Sequence, residues 1–151
     1  MDEKELIFQQ YKLYSEQKEN FISRSFGINR FYLVLTIVLL VLVKLSVGII
    51  FAYTIPLNTI LAIIGMGTTI LWYMNMDSYN MLIKIKYAKV LEQIEKDLPK
   101  QPYNNEYKAI QEYRSSKKMF LFADIQKIFA IIMFIMFFLS LIETAIPLFI
   151  K

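Results

Sequence analysis

Residues 31–53 read FYLVLTIVLLVLVKLSVGIIFAY, and Lys44 is the one charged side chain among them. A helix needs about 20 apolar residues to cross a ~30 Å hydrocarbon core, so this run predicts a transmembrane span. Two further runs have the same character. Residues 57–76, LNTILAIIGMGTTILWYMNM, carry no charge, and residues 128–150, IFAIIMFIMFFLSLIETAIPLFI, carry only Glu143. Three such runs in 151 residues are more apolar surface than a soluble chain of that length can wrap. The expected fold class is therefore an all-α membrane protein: three transmembrane helices, a cytoplasmic helical pair and an N-terminal amphipathic helix.

Composition agrees. The chain is 56% hydrophobic with four Gly and four Pro. That is more apolar than the ordinary soluble half, and poor in turn formers. It has neither Cys nor His, which removes disulfides, Cys/His zinc sites, histidine-ligated haem and Ser-His-Asp chemistry. No paired-carboxylate motif stands out. The expectation is a protein that is not an enzyme and needs no cofactor. The opening MDEKELIFQQ lacks the basic stretch before an apolar core that marks a signal peptide.

The linker between the first two spans, Thr54–Pro56, is short and uncharged, so those spans form an antiparallel hairpin. Lys and Arg are concentrated on the cytoplasmic side of membrane proteins. Residues 1–30 hold five basic residues and residues 77–118 hold nine, whereas Lys151 is the only one left for the other side. The N-terminus and the middle segment are expected in the cytoplasm of a bacterial cell, at its inner membrane, with the C-terminus outside.

Four regions follow. Residues 1–30 hold an amphipathic helix over 2–26, with Leu6, Ile7, Tyr11, Tyr14, Phe21 and Ile22 near helical spacing. It packs on the cytoplasmic face, lies on the bilayer surface or gates a pore mouth. Gly27 and Asn29 are expected to break it. Residues 31–76 form the hairpin of spans 31–53 and 57–76. Residues 77–127 form the cytoplasmic pair, and residues 128–151 the third span. The stripe Tyr79, Leu82, Ile83, Tyr87, Val90, Leu91, Ile94 and Leu98 continues the second span, predicting one helix from Leu57 to Asp97, roughly 60 Å long. Leu98–Pro99 ends it. LPKQPYNN is a turn, and the next helix is expected to start at Asn104 or Asn105 with asparagine as its cap.

Two sets of residues are candidates for function. Lys84, Lys86, Lys89, Lys96, Lys100, Lys117 and Lys118 make the middle segment basic. They suit anionic lipid, or a phosphate-bearing nucleotide or oligonucleotide, for which Tyr87, Tyr103, Tyr107 and Tyr113 offer stacking faces. Lys44 and Glu143 are ionisable groups inside spans, ~20 and ~22 Å from the inner ends. They pair, ring a pore or snorkel to the outer interface. Thr68 and Thr69 in the second span serve close packing or pore lining. Three spans cannot enclose a conduit, so a pore requires an oligomer.

The middle segment also resembles a known pattern. Trp72, Ser78-Tyr79, Leu82, Lys86-Tyr87, Glu92, Glu95, Leu98-Pro99, Pro102-Tyr103 and Glu106-Tyr107 resemble W…SY..L…KF…E..LP..PF..EW in small bacterial inner-membrane proteins. That group includes RipA-like oligomeric membrane proteins. The arrangement is also similar to the channel effector of the Hailong anti-phage system. The resemblance implies a homo-oligomeric ion channel, with a tetramer favoured. It would be held closed by a DNA oligomer from a partner nucleotidyltransferase and would depolarise the membrane when open. The alternative is a non-conducting oligomeric scaffold that recruits a cytoplasmic partner.

Overall fold

The computed structural model describes residues 3–51, 55–98, 100–117 and 122–149, the side chains of 86–88, 114–117, 122–123 and 145–149 excepted. Helix α1 spans Glu3–Leu45. A two-residue antiparallel ladder follows, β1 (Ile50–Phe51) with β2 (Ile55–Pro56), pairing Ile50 with Pro56 and Phe51 with Ile55. Helix α2 is Leu57–Leu82. It passes through a π-helical stretch, Ile83–Ala88, into α3, Lys89–Glu95. Helix α4 is Pro102–Lys117, and α5 is Phe122–Phe149. The protein is an all-α membrane protein, with three helical stretches among the described residues that are long and apolar enough to cross a bilayer.

The chain divides into two compact units. One is Met1–Phe26 with Asp77–Ala123, and the other is Gly27–Met76 with Asp124–Lys151. In the second, the core is a set of contacts between apolar helices. Val43, Ala62 and Phe137 form one buried cluster, flanked by Leu39, Leu61, Met66 and Leu141. Trp72, Met76, Ala130 and Met133 form another, with Tyr32 and Leu33 against it. Gly65 makes the first cluster possible: a Cβ there would meet the Phe137 ring. Most large apolar side chains of these helices stay exposed, among them Phe31, Val41, Ile63, Leu71 and Leu139.

Two sequence expectations need correction. Gly27 and Asn29 do not break α1. Asn disfavours helix interiors because its amide competes for backbone groups. Here the amide is occupied elsewhere: Asn29 Nδ2 donates to Gln126 Oε1 at 2.9 Å, and Asn29 Oδ1 accepts the Trp72 Nε1–H at 3.1 Å. Nor does helix run to Tyr53, where the first span was expected to end. α1 stops at Leu45, with Ser46 N–H donating to Leu42 O at 3.0 Å. Gly48 then takes φ 86°, a left-handed conformation that side chains disfavour. The chain reverses in the short ladder instead. Residues 52–54, including Thr54, the first residue of the expected linker, lie outside the described residues. The single long helix expected from Leu57 is present and continuous to Glu95.

Candidate functional site

In the first unit, the α3–α4 turn is organised by one carboxylate. Glu95, the last residue of α3, is fully buried. Its Oε1 accepts the Tyr103 backbone N–H at 2.7 Å, and its Oε2 accepts the Asn104 N–H at 3.0 Å. The first amides of a helix have no intrahelical acceptor. In α4 each is accounted for. Pro102, at the first position, has no N–H. Tyr103 and Asn104 donate to Glu95, and the Asn105 N–H reaches Gln101 O at 3.1 Å. The negative carboxylate also sits where the helix dipole is positive. Asn104 and Asn105 are therefore not caps, as the sequence had suggested. Pro102 starts the helix, and the Asn104 side chain donates to Gln101 Oε1 at 3.2 Å.

The N-terminal helix reaches the same group. Tyr11 donates its hydroxyl to Glu95 Oε1 at 2.9 Å. Lys18 Nζ lies 3.7 Å from the centroid of the Tyr103 ring, within cation–π range. Phe21 packs on Tyr79 with centroids 4.8 Å apart. Burial, then the hydrogen bond to Glu95 and its charge, push Tyr11 from 10.0 up to about 12. Tyr103 is raised by burial and by Tyr107, Glu106 and Glu95. Burial lowers Lys18, against the opposing charges of Glu106, Glu19 and Glu95.

Among the candidate lysines, Lys84, Lys89, Lys96 and Lys100 are exposed. The side chains of Lys86 and Lys117, and all of Lys118, lie outside the described residues. Tyr103 and Tyr107 stack with centroids 6.5 Å apart, and Tyr107 and Tyr113 are exposed. The Tyr87 side chain is not described.

In the second unit, Lys44 Nζ meets Glu143 Oε2 at 2.9 Å, with the side chains 58% and 68% exposed. Lys44 occupies the last turn of α1, where a cation complements the helix dipole. Because α1 ends at Leu45, Lys44 sits at the end of its helix, while Glu143 lies within α5. Thr69 is buried and bonds Met66 O at 2.7 Å, while the half-buried Thr68 bonds Ile64 O at 2.8 Å. Both hydroxyls are satisfied within their own helix.

A family model covers most of the chain. It is described as the octameric membrane protein family and matches residues 8–146. The chain belongs to that family. No curated protein and no solved structure gives a match. Membership of the octameric membrane protein family makes this one of a set of oligomeric membrane proteins, not of a set of enzymes. The family is described by eight subunits, where the sequence had favoured four.

Sequence reasoning missed Glu95 as an organising residue, although it lies inside the motif that carried the resemblance. Its partners stand eight and nine positions ahead, outside the three-residue reach of a capping box. The available signal was a carboxylate just before an LP..P turn that opens a helix with proline.

Proposed function

We propose that the chain assembles as a ring of eight identical subunits around an ion-conducting axial pore. The observation that carries this is the match to an octameric membrane family across three membrane-length helices. Copies inserted with the same sense in one bilayer share no two-fold axis within its plane, so their closed symmetry is cyclic. Packed helices lie about 9 Å apart, so eight innermost spans trace a ring of about 12 Å radius. Subtracting a helix radius of about 5 Å leaves an opening of about 7 Å radius. Four spans at the same spacing leave about 1 Å, which closes. An eightfold ring therefore holds an axial space that water and ions, or lipid, must fill.

The finer parts of the reading rest on less. The N-terminus and the segment between the second and third spans face the cytoplasm of a bacterial inner membrane, by the basic bias of residues 1–30 and 77–118. A nucleotide or DNA oligomer on the exposed lysines 84, 89, 96 and 100, with Lys86, Lys117 and Lys118 beside them in sequence, closes the pore. Its loss during phage infection depolarises the cell. Support for that setting is the resemblance across residues 72–107 together with the lysines.

The second reading is a non-conducting scaffold with a lipid-filled axis. It is favoured by the exposed Tyr107, Ile110 and Tyr113 on α4, which suit a protein partner.

The test is native mass spectrometry of the purified protein followed by planar-bilayer recording. A mass of eight times the 17.9 kDa chain, with currents that grow on nuclease treatment, supports the channel. An octamer that passes no current with or without nuclease selects the scaffold.

A further inference from the structure

The Lys44–Glu143 pair is the meeting point of two cavities, both inside the second unit. One, of about 690 Å³, is lined mostly by apolar residues, among them Val47, Ile49 and Ile50, together with Lys44, Asn58 and Glu143. The other, of about 430 Å³, is bounded by Leu40, Val41, Leu45, Met136 and Leu139. They share Lys44, Ser140 and Glu143. A largely apolar cavity with a patch of polar groups at Asn58, Ser140 and Thr144 thus adjoins an apolar slot at an ion pair beside the end of α1. We propose that this is a binding site for a phospholipid with an ethanolamine headgroup, with phosphate on Lys44, ammonium on Glu143 and an acyl chain in the slot.

The charges decide the headgroup. The Lys44 ammonium has three N–H donors, and Glu143 takes one of them. Those remaining suit a phosphate oxygen. The Glu143 carboxylate has further lone pairs that suit N–H donors, which a primary ammonium has and a choline lacks. A purely anionic headgroup satisfies Lys44 but sets a second negative charge beside Glu143 with no cation of its own to offset it. Both side chains are more than half exposed, so they are reachable from the bilayer. An amphipathic ligand also accounts for an ion pair and its neighbouring polar groups set between two mainly apolar cavities. This inference does not rest on the pore reading, since binding is measured without current.

The experiment uses the full chain in nanodiscs containing equal phosphatidylethanolamine, phosphatidylcholine and phosphatidylglycerol with identical acyl chains, and identifies the lipids retained on transfer to detergent. Phosphatidylethanolamine is expected about tenfold above phosphatidylcholine, the factor one charge-assisted hydrogen bond supplies. Glu143→Gln should erase that preference, while Lys44→Gln should lower retention of every phospholipid. Leu139→Trp fills the slot with the ion pair intact and should release the lipid, which keeps the test available if a charge variant fails to fold. Retention in the proportions of the nanodisc, or phosphatidylglycerol held as well as phosphatidylethanolamine, overturns the proposal. So does soluble phosphoethanolamine competing as strongly as the lipid. If Leu139→Trp breaks the oligomer and no lipid is retained by the unaltered protein, a second copy of the chain occupies the slot and the lipid site is refuted.

Discussion

Tyr11 and Glu95, 84 positions apart in sequence, share a 2.9 Å hydrogen bond. Glu95 simultaneously holds the first two amides of α4. One carboxylate therefore fixes the turn between two helices and fastens a third to it. A fully buried carboxylate is tolerated because three donors replace the water it gave up. Glu95, Pro102 and Tyr103, which belong to the motif around the LP..P turn, are in physical terms parts of this joint.

Glu95→Ala removes the acceptor from two helix-start amides and a tyrosine hydroxyl at once. Losing a cap costs about 1 kcal/mol, and stranding a buried donor costs about 1–3 kcal/mol. The expected destabilisation is about 2–4 kcal/mol, with rapid hydrogen exchange at the Tyr103 and Asn104 amides. Glu95→Gln keeps one acceptor oxygen and should lie between the two. Unchanged exchange at both amides in Glu95→Ala would show that Glu95 does not hold the start of α4.

The Tyr11–Glu95 bond also has a pH signature. Tyr11 is raised from 10.0 to about 12, so its neutral form is favoured in the folded protein. A raised folded pKa contributes stability that is complete below the unfolded value and disappears as pH rises through the folded one. Its contribution to stability should therefore be complete at neutral pH and decline between about pH 10 and 12, while the bond itself breaks only as Tyr11 ionises near 12. Ultraviolet titration should show a late-ionising tyrosine that disappears in Tyr11→Phe. If Tyr11→Phe leaves the tyrosinate curve unchanged in shape, the bond to Glu95 is not formed.

The long elements were legible because hydropathy and a 3.6-residue period report burial directly. The apolar runs placed three membrane-length helices, and the stripe from Tyr79 to Leu98 showed that α2 continues without a break to Glu95. Helix ends were less legible. SVGIIFAY extends the apolar run past Leu45, but hydropathy counts side chains and is blind to the backbone turn that Gly48 permits. Asn29 was misread for the opposite reason. Its local tendency to break a helix is overridden by Trp72 and Gln126, which lie far along the chain and take up its amide. Lys44 and Glu143 stood out as charges in apolar runs. That they meet at 2.9 Å is a tertiary fact, and pairing was one of the readings left open.

Gly65 offers a packing prediction. A methyl group at this position would enter the Phe137 ring, and both residues are buried. Overpacking of this kind costs about 1–3 kcal/mol. Gly65→Ala should lower the thermal midpoint in detergent, and Gly65→Ala with Phe137→Leu should recover part of the loss. Gly67→Ala is the control, because open space surrounds that position. Equal effects at Gly65 and Gly67 would mean that Phe137 does not pack there.

Orientation is open to a direct measurement, because the chain has no cysteine and any label reports a single introduced site. Val47 follows α1 and is 66% exposed, and Lys100 lies between α3 and α4 and is exposed. The apolar part of α2, residues 57–76, separates them in sequence, so one crossing puts them on opposite sides. Nine basic residues at 77–118 favour the cytoplasm for Lys100. In intact cells, Val47→Cys should react with an impermeant maleimide, and Lys100→Cys should react only after lysis. The reverse pattern would invert the protein and place the basic face outside, where a cytoplasmic oligonucleotide could not reach it. Labelling of both from outside would mean that residues 57–76 do not cross the membrane.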